Sequence, residues 1–139
     1  MTSNSKPPAA SASTKAADAI DLDALMHANM ARVFGERNAD RRRAALAELY
    51  AEDATLYDPE TVATGRDAIS AAVDALLRGL PPDFVFTAAG PAVGHNGAAR
   101  LFWRAGPPGG PVAVTGTDVA FVEDGRIKRL YVFVDPAAR

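Results

Sequence analysis

Apolar residues recur at three- and four-residue intervals at Ile20, Leu22, Leu25, Met26, Met30, Val33 and Phe34, the stripe of an amphipathic helix. Gly35 and Asn38 supply its stop signal. Asp40 is a good N-cap and predicts a second, shorter helix that turns Leu46, Leu49 and Tyr50 inward. The stretch from Ala54 to Tyr57 then reads as a short strand, halted at Asp58-Pro59. Thr64-Gly65-Arg66-Asp67 has the form of a helix-opening box. The helix after it is expected to bury Ile69, Val73, Leu76, Leu77 and Leu80 until Pro81-Pro82 forbids continuation.

Beyond the prolines the chain reads as strand. Phe84-Val85-Phe86 opens one strand, and Asn96-Gly97 after His95 marks a tight hairpin turn. Ala98 to Ala105, Val112 to Glu123 and Arg126 to Val134 follow, separated by the Gly106 to Gly110 loop and the Asp124-Gly125 turn. Three N-terminal helices and then a meander of antiparallel strands predict an α+β fold, with the helices against one face of a curved sheet. Residues 1–17 contain no aromatic or β-branched apolar side chain, so burial cannot offset their ordering entropy. They are expected to form a disordered tail, leaving 18–139 as one domain. The tail lacks the apolar core of a secretory signal, and the expected location is cytoplasmic.

Composition narrows the function classes. A net charge of -2 gives no basic field for nucleic acid or an anionic membrane, and no apolar run approaches the ~20 residues of a membrane span. Cysteine is absent, which removes disulfides, thiolate catalysis and Cys-based zinc sites. The two histidines, His27 and His95, are too far apart to form a helical ligand pair, and neither a metal nor a cofactor is expected. Arg41, Arg42 and Arg43 read either as an anion site or as a solvated helix face.

Asp118 is the sharpest chemical signal. On an extended Val112 to Val122, it shares a face with Val114, Gly116, Ala120 and Val122, while Thr115 and Thr117 point the other way. A carboxyl group among Val and Ala loses hydration, its pKa rises, and it can stay neutral and donate a hydrogen bond. The other reading is a structural Asp that anchors backbone or meets water. Asp58, after a strand and before Pro59, suits a turn. Beside a protonated Asp118 it becomes something more: an ionised base paired with a neutral acid. Phe34, Tyr57, Phe84, Phe86, Leu101, Trp103, Leu130, Val132 and Val134 are the candidate wall residues of an apolar pocket.

The element order, with LYAEDATLYDP (49–59), GRDAI (65–69), GPAVGHNG (90–97) and TGTDVAFVEDGRI (115–127), resembles the nuclear transport factor 2-like superfamily. Its SnoaL-like and ketosteroid isomerase-like branches match best, over residues 18–135. The resemblance implies a cone-shaped, cystatin-like curved antiparallel sheet around a pocket for a small hydrophobic molecule, and a homodimer paired through the outer sheet face. It places the isomerases' general base at Asp58 and their oxyanion donor at Asp118, which is also the acid/base position of the SnoaL-like cyclases. The isomerases' second oxyanion donor, a first-helix Tyr, falls at Arg32-Val33-Phe34, which carries no hydroxyl. Losing one such donor costs ~100- to 1000-fold in rate. Tyr50, Tyr57 and Tyr131 are the other hydroxyl sources. Val132 stands where limonene epoxide hydrolase-like members carry an acid, which argues against that chemistry. Two functions follow: a cofactor-independent isomerase or cyclase, and a non-catalytic binding or association module of the same fold.

Overall fold

The computed structural model describes residues 22–137, so the expected tail at 1–17 and Ile20 of the first stripe lie outside the described residues. Residues 22–29 are helical (α1) and run into a π-helical turn, Met30–Phe34, closed by the Gly35 N–H donating to the Met30 carbonyl at 2.9 Å. Helix α2 spans Ala39–Leu49 and α3 spans Arg66–Arg78. The strands are β1 Tyr50–Tyr57, β2 Val62–Thr64, β3 Val85–Ala88, β4 Val93–His95, β5 Ala98–Gly106, β6 Val114–Glu123 and β7 Arg126–Val134.

These strands form one curved, unclosed sheet in the order β2-β1-β7-β6-β5-β3, with β4 also on β5. The sheet is mixed rather than wholly antiparallel, because β1 runs parallel to β7. That pairing closes a long crossover, and apolar patterning carries strand identity but not the choice of partner. Both expected hairpins form. Asn96 and Gly97 have φ of 52° and 78°, Asp124 and Gly125 of 53° and 76°, the positive angles that a two-residue turn between twisted strands requires.

The helices cover the concave face. Met26 and Val33 from α1 and its π turn, Leu46 from α2, and Ile69 and Val73 from α3 meet Leu56, Leu101, Ala120 and Leu130 from the sheet in one buried core. Each large aliphatic side chain so buried contributes about 1.5–3 kcal/mol. Leu76 lies at the edge of the α3 stripe and is exposed, and Leu80, beyond the helix end, is only half-buried.

Three local expectations are corrected. The α2 cap is Asn38, whose side chain accepts from the Arg41 N–H, and not Asp40. Thr64 does not open α3; it is held in β2, its hydroxyl 3.0 Å from that of Thr55, and Gly65 caps the helix without a side-chain bond. The arginine run is not one solvated face. Arg42 is fully buried and bonds the Ser70 hydroxyl, the Glu36 carbonyl and Asp74, tying α2 to α3, while Arg41 pairs with Glu36 at the surface. No helix among the described residues is long and apolar enough to cross a membrane.

Candidate functional site

Strand β6 presents two chemically different faces, as its alternation predicts. Gly116, Asp118 and Ala120 point into the concave side and are buried; Thr115, Thr117 and Val119 point away. Asp118 stands between Leu101 of β5 and Val132 of β7 and is only 3% exposed. Loss of hydration pushes its pKa up from the usual 3.8 to about 7. The indole N–H of Trp103 donates to Oδ1 at 3.0 Å and pulls the other way by favouring the charged form, but burial wins. With Oδ1 taken by the indole, Oδ2 is the oxygen left to carry the proton.

Gly116 makes this bond sterically feasible. A Cβ there would overlap the Trp103 ring and the Phe133 carbonyl, so the space that a glycine leaves beside the acid is filled by the indole. Phe86 packs edge-on against Trp103 with centroids 5.7 Å apart, and Phe34 packs edge-on against Phe86 at 6.5 Å. Phe34, Phe86 and Trp103 thus form an aromatic series that leads from α1 to Asp118.

Asp58 follows the last residue of β1 and is half-buried. Its Oδ1 accepts from the backbone N–H groups of Glu60 and Thr61, each at 2.8 Å, which is the local turn role open to any Asp before Pro. Tyr57 pairs with Tyr131 across the parallel β1–β7 ladder. Tyr131 in turn precedes Val132, the residue that flanks Asp118. The ladder stops at Tyr57, one residue before Asp58, so the two acids lie to either side of β7.

The wall residues divide by strand parity. Leu101, Trp103, Leu130 and Val132 lie on the Asp118 face, and half-buried Phe84 packs against the same core. Val134, opposite Gly116 at the end of that face, is 47% exposed. Tyr57 is on the other face, where its ring stacks on Tyr131 at 4.5 Å and Tyr131 meets Phe121 edge-on. A separate depression of about 140 Å³ lies between β3 and the 106–112 loop, bordered by Val85, Thr87 and Arg104, and does not include Asp118.

Asn29 escapes the sequence reading, although its partner Tyr50 is among the expected hydroxyl sources. Tyr50 begins β1 and is fully buried, and its hydroxyl donates to Oδ1 of Asn29 at 2.5 Å. Burial, and to a lesser degree the nearby charge of Asp118, push the Tyr50 phenol well above its ordinary pKa, so it stays a donor. Asn29 is also fully buried, and its Nδ2 has no partner among the described residues. The signal was present: Asn29 falls within the apolar stripe of α1, four residues after Leu25 and three after Met26.

The histidines lie apart from this cluster. The His27 Nδ1 is 3.0 Å from the Asp23 carbonyl, and exposed His95 contacts Asn96 in the hairpin. Among the described residues, no group of three His, Cys, Asp or Glu side chains could hold a metal ion.

Solved structures share this architecture. A candidate isomerase of the SnoaL-like family from Agrobacterium tumefaciens is 29% identical, with a TM-score of 0.75 over 81% of this chain and 96% of that one. A candidate ketosteroid isomerase from Kribbella flavida is 21% identical, with a TM-score of 0.67 over 88% of this chain and 83% of that one. A candidate polyketide cyclase from Sinorhizobium meliloti is 22% identical, with a TM-score of 0.62 over 82% and 97%. At those two lower identities the likeness shows the fold alone, that of the nuclear transport factor 2-like proteins. No curated protein matches the chain. The sequence model of the SnoaL-like domain matches residues 27–130, a span that runs from α1 to the middle of β7 and takes in both acids. With helices, sheet order and sequence in agreement, the chain belongs to the SnoaL-like domain family.

Proposed function

We propose that the protein moves a proton next to the carbonyl of a small, hydrophobic ketone, without a cofactor, as an isomerase or cyclase does. The observation that carries this reading is Asp118: a carboxyl group with a pKa near 7, braced on one oxygen by Trp103 and surrounded by apolar side chains. Protonated, it donates a hydrogen bond to the carbonyl oxygen and stabilises the negative charge that develops there as the α-proton leaves. Asp58, across β7 and nearer water, accepts that α-proton as its carboxylate and returns it to the product. The bond broken is the substrate C–H, and the electron pair left behind becomes the enolate, so no oxidant or metal is needed.

The printed names of the similar structures, candidate isomerases and a candidate cyclase, accord with this class of reaction. The test is hydrogen–deuterium exchange at the α-carbons of 2-decalone, followed by NMR in D2O. The wild type is expected to accelerate exchange, and the acceleration to fall as pH rises through about 7 and Asp118 ionises. Asp58→Asn is expected to lose at least ~100-fold, the usual contribution of a positioned base. An Asp58→Asn protein that exchanges as fast as wild type would overturn the assignment.

The second reading, a binding module without catalysis, is favoured by one observation. Phe34, buried at the end of the π turn, brings no hydroxyl where the isomerases carry a donor. Stabilisation by the ketone in a thermal-shift measurement with no exchange above background would select it.

A further inference from the structure

We infer that Asn29 is a ligand-contacting residue: its Nδ2 amide donates a hydrogen bond to the ketone oxygen of a molecule held on the concave face. This rests on the reading that this face receives an apolar ketone, and it adds a determinant of specificity for the oxygen itself. Asn29 sits in a stripe of Leu25, Met26, Met30 and Val33, all buried, where an aliphatic side chain would satisfy packing. An amide there has a cost, because a buried donor without an acceptor forfeits the bond it would make to water. Half of that cost is met: Oδ1 takes the Tyr50 hydroxyl. The other half is not, since Nδ2 is buried and unpartnered among the described residues.

The Tyr50 bond also fixes which way the amide faces. The phenol is a donor, held protonated by its burial, so it needs the oxygen of Asn29 and turns the nitrogen away from itself. The backbone adds a further sign. The helix changes to π hydrogen bonding directly after Asn29, at Met30–Phe34, and such single-turn insertions concentrate at functional sites. Two neutral donors, an amide from α1 and a protonated carboxyl from β6, suit an acceptor oxygen; they leave an ammonium group or an oxygen-free hydrocarbon with unmatched donors.

The test pairs 2-decalone with decalin, its hydrocarbon of nearly the same shape, against wild type, Asn29→Leu and Asp118→Ala. Affinity for the ketone is expected to fall roughly tenfold in Asn29→Leu, the effect of one lost buried hydrogen bond, while affinity for decalin is unchanged or improved. In the 15N-labelled wild type, the Asn29 side-chain amide signals, assigned through their own Cβ, are expected to move downfield when the ketone is added. This second measurement needs no variant and holds if Asn29→Leu fails to fold. Ketone binding that needs Asp118 yet is equal in wild type and Asn29→Leu, or that leaves the Asn29 amide signals in place, overturns the inference alone. Failure of the wild type to bind 2-decalone overturns the ketone reading and this inference with it.

Discussion

Two aspartates one strand apart show how differently one side chain behaves in two surroundings. Asp58 ends β1 at a turn, half-buried, with two backbone N–H groups on Oδ1. Asp118 is in the middle of β6, 3% exposed, with a single indole N–H on Oδ1 and apolar neighbours. Burial sets the ionisation of Asp118, and one hydrogen bond does not offset it. A fold that curls a sheet over helices can thus set one carboxyl at a dry centre and another at a wet edge.

The largest effect that could break this contrast is on stability. Asp118 titrates near 7 when folded and near the usual 3.8 when unfolded, so between those values the folded state holds a proton that the unfolded state has released. Stability from this group is therefore full below about pH 4 and is lost as pH rises to about 7, an order of about 4 kcal/mol. Asp118→Asn keeps an oxygen for Trp103 and removes the titration. Urea unfolding from pH 4 to 8 is expected to show the variant gaining about that much on wild type as pH rises. Parallel curves would mean that Asp118 is not held in a dry place.

The smaller effect sharpens the other side. Asp58→Ala removes the acceptor for two turn N–H groups that water can still reach, a loss of about 1 kcal/mol. Because the turn bonds need only the carboxylate oxygen, Asp58→Asn is expected to recover most of that stability while remaining inactive in the exchange assay. A variant that restored both would place Asp58 in the turn alone.

The sequence was most informative where one residue type has one physical use. Asn96-Gly97 and Asp124-Gly125 mark their hairpins because few other residues accept positive φ at both central positions. Strand β7 has the expected bounds, and the face of Asp118 follows from simple alternation along β6. Legibility ended where tertiary pairing decides. Tyr50 continues the apolar spacing of α2, yet it belongs to β1, because the chain turns there to pair with Ile127. The three residues of β2 carry too short a pattern to stand out, and only the β1 ladder makes them a strand. Arg42 and Asn29 shared one misleading feature, a polar residue on an apolar stripe. Arg42 stands three, four and seven residues before Ala45, Leu46 and Leu49, all buried, and that spacing was the mark of a buried strut. Asn29 carried the same mark in α1. The turn role of Asp58 and the buried face of Asp118 were legible singly, but their placement to either side of β7 depends on the parallel β1–β7 register, which local patterning does not encode.

The most direct measurement is an NMR titration of the protein labelled with 13C at the aspartate side-chain carboxyl carbons, with the Asp118 signal assigned by its loss in Asp118→Asn. The structure predicts a midpoint near pH 7 for that one carbon. A midpoint near 4, where aspartates in water titrate, would contradict the dry setting on which the proposed chemistry depends.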